Sequence, residues 1–319
     1  MSDLRAGVIG AGYMGRHHLR VLGELAGIVP AVVVDPRPPT ELAVPIVTDL
    51  AAAAAEIDLA ILAAPSKFHE QLGLRLAQLR VPTLIEKPVA TTSAAAARLV
   101  RAFAEQGVAA AAGHIERFNP VIAAVRAALA EDLIGPLTHI GTTRAGPFPD
   151  RDMPVGVVAD LLVHDIDLVC SLSEGDYAWV SAQAETARDR PCEDEVRLRG
   201  EVRLPDGRTL SVSQRADRVS PERVRLLQVI GERGGLRADL IEQRLIHWWE
   251  NDSGHHSREL PVDTGQPLTA ELAAWRDVVR TGTPDPVLAT LADGTRAIRI
   301  AEAVLASAAQ GATVPVAAA

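Results

Sequence analysis

Through the first third of the chain, short apolar runs alternate with Ala- and Leu-rich stretches of helical period. Residues 4–9 read as a strand, a glycine turn follows, and 14–25 carry a helical pattern. Residues 28–35 form a second strand that ends in a Pro-rich turn, DPRPP. Asp49 is placed to cap a helix through the alanine run 51–55. Then come a strand at 57–63, a helix at 67–79, a strand at 83–86, a helix at 93–106 and a strand at 108–112. Strand–helix alternation at this spacing predicts βαβ units and a parallel sheet.

After about residue 119 the pattern changes. A helix at 121–129 leads to a strand at 138–144, then a loop rich in Pro and Gly (AGPFPDRDMPVG), then a helix at 157–172. From 178 to 250 apolar and polar residues alternate, as in VRLRGEVRL and RTLSVSQ, with turn signals such as PDG between them. Period two with short turns predicts an antiparallel sheet. His255 and His256 fall in a polar stretch, ENDSGHHSRE, that reads as an exposed turn. Trp248 and Trp249 sit in the sheet region and read as core or as an oligomer face. Two helices close the chain at 269–281 and 289–309. The predicted fold class is α/β: an N-terminal doubly wound parallel sheet over 1–118, then an α+β domain with an open, mostly antiparallel sheet over 119–319. The C-terminal helix is expected to pack back on the first domain.

Composition narrows the function classes. With 319 residues, 48% of them hydrophobic, the chain suits two globular domains. No apolar run approaches the roughly 20 residues that span a bilayer, so no membrane partner is expected. The start, MSDLRAGVIG, lacks a basic stretch followed by a long apolar one. Cys170 and Cys192 have no metal or redox spacing, which fits reduced thiols in the cytoplasm. A net charge of −9 argues against a general nucleic-acid binder. Of 32 basic residues only Lys67 and Lys87 are lysine. Where arginine is the default cation, a retained lysine marks a place where a compact, desolvatable ammonium is wanted.

Three motifs carry chemistry. Gly10-Ala11-Gly12-Tyr13-Met14-Gly15 follows a strand and opens a helix. Its glycines suit a tight turn, close approach of a pyrophosphate, and helix–strand packing. Asp35 ends the second strand, where a carboxylate accepts from ribose hydroxyls. That favours NAD, while Arg37 nearby keeps NADP open. Next come two strand ends, Ala63-Ala64-Pro65-Ser66 and Glu86-Lys87-Pro88, where a doubly wound sheet holds its ligands. Lys87 would project there; the plain alternative is a surface lysine. His69 lies near the crevice mouth. The third is Asp160-Leu-Leu-Val-His164-Asp165-Ile166-Asp167. On a helix, Asp160 and His164 share a face, so the carboxylate can orient the imidazole for acid–base work. A capped helix face or a satisfied core histidine would show the same spacing. No further ligands come at zinc-like spacing, so no metal is expected.

In this order, GAGYMG with Asp35, AAPSKFH, EKP and DLLVHDID resemble the Gfo/Idh/MocA oxidoreductase family over nearly the whole chain. The resemblance implies a Rossmann domain binding NAD(P) through Gly10–Gly15, Asp35, Arg37, Ala64, Pro65, Ser66, His69, Glu86 and Lys87. It implies a catalytic set of Lys87, Asp160 and His164, a cis Pro88, and a second domain that builds dimers or tetramers through its sheet. GHIERFNP, RAGPFPDR and VGVVADLLVHDID further resemble the UDP-N-acetylglucosamine 3-dehydrogenase branch. Candidate substrate contacts are then Lys87, Arg117, Asn119, Arg144, Asp160 and His164, with Arg144 and Arg151 offered to a diphosphate. Arg117 reads equally well as an anchor of the domain junction. The implied activity is oxidation of a sugar or nucleotide-sugar secondary alcohol. A cyclitol or sugar-phosphate dehydrogenase, an NAD-dependent glycosidase and a non-catalytic cofactor sensor are the alternatives.

Overall fold

A computed structural model of the chain describes residues 2–37, 42–149, 155–187 and 191–317. It divides into two compact units, residues 1–118 with 266–296, and residues 119–265 with 297–319.

The first unit opens with β1 (Leu4–Ile9), α1 (Tyr13–Glu24), β2 (Ile28–Val34), β3 (Ile46–Val47), α2 (Leu50–Ala54), β4 (Leu59–Leu62), α3 (His69–Gln78), β5 (Thr83–Glu86), α4 (Ser93–Gln106) and β6 (Ala110–Gly113). Its six strands lie in the order β3-β2-β1-β4-β5-β6 and pair in parallel. Every residue of β4 and β5 is buried, as strands covered on both faces require. Capping fixes the helices locally. Asp49 accepts the Ala51 N–H, Thr92 accepts the Ala95 N–H, and Gly107 ends α4 in the left-handed region at φ 62°.

The second unit contains α5 (Pro120–Ala130), β7 (Leu137–Ala145), α6 (Val163–Ser173), β8 (Asp176–Glu185), β9 (Glu195–Arg203), β10 (Thr209–Asp217), β11 (Val224–Gly231), β12 (Gly234–Asp239), β13 (Arg244–Asn251) and β14 (Gly254–Leu260). After these come α7 (Pro267–Thr281), α8 (Leu291–Gln310) and β15 (Val314–Pro315). The nine strands run β14-β13-β12-β11-β7-β10-β9-β8-β15; β7 and β10 pair in parallel and the other pairs are antiparallel. Val196, Leu198, Val212 and Val229 on the inner face pack with Ile122, Val125, Ile166 and Val304. On the opposite face, Arg197, Arg199, Ser211 and Ser213 are exposed.

Two expectations are corrected. Residues 119–319 are not one body: α7 belongs to the first unit. Its Leu272 and Trp275 are buried with Val8, Ile61 and Leu84, and Arg276 and Arg280 donate to the carbonyls of Ala26 and Gly27. From residue 297 on, by contrast, α8 lies in the second unit. His255 and His256 are not in a turn but on β14, opposite Glu250 and Trp249. Trp249 stacks between His247 and His256, with ring centroids 4.7 and 5.4 Å away. Among the described residues no helix is long and apolar enough to cross a membrane.

Candidate active site

Gly10 follows β1 with φ +100°, and a Cβ there would meet the Ala64 backbone at 2.6 Å. A Cβ on Gly15 would sit 1.9 Å from the Gly10 carbonyl oxygen, so only glycine lets α1 rise so close to the turn. Gly12 is different: nothing lies within 4 Å of where its Cβ would be. It stands at the N-terminus of α1, which has no side-chain cap and no acidic residue in its first turn. Open space over uncapped N–H groups at the positive end of a helix is the environment a pyrophosphate needs. Tyr13 is exposed beside it, edge-on to His17 at 4.5 Å. Ala11 is buried and Met14 half-buried.

Asp35 follows β2 directly. Its Oδ2 accepts the Ala11 N–H and its Oδ1 the Arg37 N–H, both at 2.8 Å. A carboxylate offers about four acceptor positions, which leaves two for ribose hydroxyls. The residues of this turn therefore fit a dinucleotide.

The strand ends beside it are braced from below. Ala64 and Pro65 lead into a short 3-10 turn, Ser66–Phe68, and then α3. Glu86 ends β5 with its side chain buried. Its Oε1 is 2.7 Å from His18 Nε2, and its Oε2 accepts the Lys87 N–H at 3.1 Å. Burial pushes the Glu86 carboxyl up, but the His18 hydrogen bond and charge, with the Lys87 charge and N–H, outweigh it and hold it below the usual range. His69 is also buried. Its Nδ1 lies 2.9 Å from the Pro88 carbonyl oxygen and its Nε2 2.6 Å from that of Ala64. Only the protonated ring has an N–H for each oxygen. Burial pulls the His69 pKa down, against the pull of the two carbonyls and Glu86. Glu86 and His69, expected as cofactor contacts at the crevice mouth, thus point their side chains into the unit. Lys87 is half-buried, and the Lys87–Pro88 peptide is cis.

In the second unit, the helix read over 157–172 begins differently. Residues Val158–Leu162 form a π-helical turn that passes into α6 at Val163. Asp160 is on the π turn and half-buried, and His164 is buried on the first turn of α6. Such wide turns recur at functional sites because they re-aim one side chain in an otherwise regular helix. The sequence spacing fits an α turn as well as a π turn, so it could not show this.

Two of the substrate candidates also have structural partners. Arg144 is buried on β7 and gives both Nε and Nη2 to Asp165 Oδ1, at 3.0 and 2.8 Å. Asn119 caps α5 by accepting the Val121 N–H and donates to the Leu240 carbonyl. Within the first unit, buried Arg117 lies 3.5 Å from Asp293. Burial pushes that carboxyl up, yet Arg117, Thr290 and Arg296 hold it below its ordinary value. Arg151 lies outside the described residues. The sequence reading assigns no role to His18 or Asp293, and none to Asp165 although it stands inside the third motif. For His18 a signal existed, since it falls on the same helix stripe as Gly15, Leu19 and Leu22. Among the described residues, no group of three or more His, Cys, Asp or Glu is placed to hold a metal.

Comparison with known proteins agrees with this layout. The family model described as an oxidoreductase family with an NAD-binding Rossmann fold matches residues 4–114, and the GFO/IDH/MocA C-terminal domain matches 122–237. A UDP-N-acetylglucosamine 3-dehydrogenase of Acidithiobacillus ferrooxidans is 30% identical over 193 residues, covering 57% of this chain and 58% of that protein. An inositol 2-dehydrogenase of Mycolicibacterium smegmatis is 29% identical over 302 residues, 88% of this chain and 86% of the other. In fold, a levoglucosan dehydrogenase solved with NADH superposes with a TM-score of 0.88 at 18% identity, covering the whole of both chains. The solved Acidithiobacillus UDP-N-acetylglucosamine 3-dehydrogenase gives 0.85 at 24%, over 96% of this chain and 98% of the other. With both of its domain models matched in order, the chain belongs to the Gfo/Idh/MocA family of NAD-binding oxidoreductases.

Proposed function

We propose that the chain is an NAD-dependent dehydrogenase that oxidises a secondary hydroxyl of a sugar, with a UDP-linked N-acetylamino sugar oxidised at C3 as the favoured substrate. The observation that carries this reading is the intact set of Lys87 at a strand end and Asp160 with His164 one turn apart. The 30% identity to a UDP-N-acetylglucosamine 3-dehydrogenase supports the substrate class. The longer match to inositol 2-dehydrogenases supports a cyclitol as the second reading.

When bound, NAD supplies the hydride acceptor. The residues of this chain handle the proton and the charge. His164 takes the hydroxyl proton; Asp160 orients the imidazole and favours its charged form. Lys87 hydrogen-bonds the reacting oxygen and stabilises its developing negative charge. In the rival assignment Lys87 is itself the proton acceptor. Asp35 holds the ribose and disfavours a 2′-phosphate by charge repulsion.

The test follows nicotinamide absorbance with NAD and UDP-GlcNAc, UDP-GalNAc, UDP-glucose, myo-inositol and glucose 6-phosphate, with a ketone trap present. Reduction confined to the UDP-amino sugars establishes the favoured substrate. Reduction with inositol moves the chain to the cyclitol reading, and silence with all five removes both. We also read the protein as a cytoplasmic homo-dimer or homo-tetramer that associates through the exposed face of the nine-stranded sheet. A monomeric mass by light scattering would reject that assembly.

A further inference from the structure

Two buried histidines on different helices bracket the same three residues. His18, on α1, holds the Glu86 carboxylate at 2.7 Å. That carboxylate's other oxygen accepts the Lys87 N–H. His69, on α3, faces the carbonyl of Pro88 with one ring nitrogen and that of Ala64 with the other. Lys87 is thus flanked on each side by a residue fixed to a helix. Neither imidazole is exposed: His18 is 0% and His69 1% accessible, so neither can meet substrate or cofactor directly. A buried polar ring is costly unless it makes hydrogen bonds; two of the three bonds made here fall on the Glu86-Lys87-Pro88 turn, and the third ties His69 to the neighbouring strand end at Ala64. A lysine side chain is flexible and strongly hydrated. It meets a reacting oxygen reproducibly only if its backbone is held still.

We propose that His18 and His69 are positioning residues for Lys87, forming a two-histidine frame that fixes the Glu86-Lys87-Pro88 turn. The proposal rests on the reading of Lys87 as a catalytic residue. Loss of either histidine then lowers kcat while substrate and cofactor still bind.

The chain offers an unusual readout, since Lys67 and Lys87 are its only lysines. Incorporating lysine labelled with carbon-13 at Cε gives two NMR signals, one from Lys87 and one from exposed Lys67. In His18→Leu and His69→Leu the Lys87 signal is expected to move or broaden more than that of Lys67. With the fastest substrate of the panel above, kcat is expected to fall by roughly 100-fold, the scale of a small misplacement, with KM and the NAD Kd within about threefold. His18→Gln and His69→Gln, which keep a donor, are expected to recover much of the loss. Should a leucine variant fail to fold, the shorter polar His→Asn change at that position takes its place. A Lys87 signal at its wild-type position in variants at both histidines, or unchanged kcat, overturns the proposal. If instead Lys87→Ala retains turnover, the catalytic reading falls, while the NMR result still decides whether the histidines hold the turn.

Discussion

Asp35 accepts the Ala11 backbone N–H at 2.8 Å, so the residue expected to select the ribose also ties β2 to the glycine turn. Asp35→Ala is therefore expected to act twice. The NAD Kd should rise by roughly 10- to 100-fold, the worth of a charge-assisted hydrogen bond. The NADP Kd should rise less, because the repulsion of a 2′-phosphate is gone. Calorimetric titration with both cofactors measures the two constants. An unchanged ratio would remove Asp35 from the ribose site and leave it as a brace for the turn.

Lys87→Ala is expected to lower kcat by about 100-fold or more, the scale for losing a donor to a developing oxyanion. The NAD Kd should stay within about threefold, because the glycine turn and Asp35 are untouched. Lys87→Arg should not rescue, since a planar guanidinium does not reproduce a compact ammonium. Steady-state turnover beside a cofactor titration checks both statements.

His164→Ala should cost about 100- to 10,000-fold in kcat/KM, the range for removing a general base. A base must be unprotonated to work, so wild-type activity should fall as pH drops through its pKa. That acidic limb should vanish in the variant. Asp160→Asn should lower the rate less and move the limb toward lower pH, as an imidazole without its carboxylate is less basic. A kcat/KM profile for all three proteins decides it. A limb that survives in His164→Ala assigns the proton to another group, Lys87 first.

The Arg144–Asp165 pair is inside the second unit, both side chains being 4% exposed. Arg144→Ala removes both guanidinium bonds from a buried carboxylate and should cost about 3–5 kcal/mol in stability. Arg144→Met with Asp165→Leu should recover most of that, because both charges of the buried pair are then gone. Urea unfolding of the single and double variants reports the difference. If Arg144→Ala is as stable as wild type but has a raised substrate KM, Arg144 is a substrate contact after all.

Burial lowers the His69 pKa below its ordinary 6.5. The unfolded chain then binds a proton more readily than the folded one. Stability should accordingly fall as pH drops below about 6.5, until the folded-state pKa is passed. His69→Gln should flatten this part of the curve. Melting temperatures measured from pH 8 to 5 on both proteins would show it, and parallel curves would exclude His69 as the source.

Much of the first unit was legible because its periods are clean and its punctuation is strong. β5 and α4 begin and end where the apolar run, Thr92 and Gly107 put them. β14 was illegible for the opposite reason. It is an edge strand whose residues His255, Ser257, Arg258 and Glu259 are all exposed, so no apolar alternation marks it. β3 and β15, at two residues each, carry no pattern at all. In the site, residue types were legible but partners were not. Arg144 reads as a free cation until the fold brings Asp165 to it from 21 positions away. Glu86, at a strand end, and His69, near the crevice mouth, read as ligand contacts through the family resemblance. Only the structure shows their side chains turned inward to hold the turn between them.

The return of residues 266–296 to the first unit has a consequence for synthesis. A ribosome delivers residues 1–118 early, with the cofactor turn complete, but their core still lacks Leu272, Trp275 and Leu288. Until α7 and Leu288 have emerged, that gap leaves apolar surface open to water, where a nascent chain is prone to self-association. The nucleotide-binding unit is thus begun before the second unit but completed only after residues 119–265 have been made, and a transcript truncated between the two would yield a β-sheet without its closing helix.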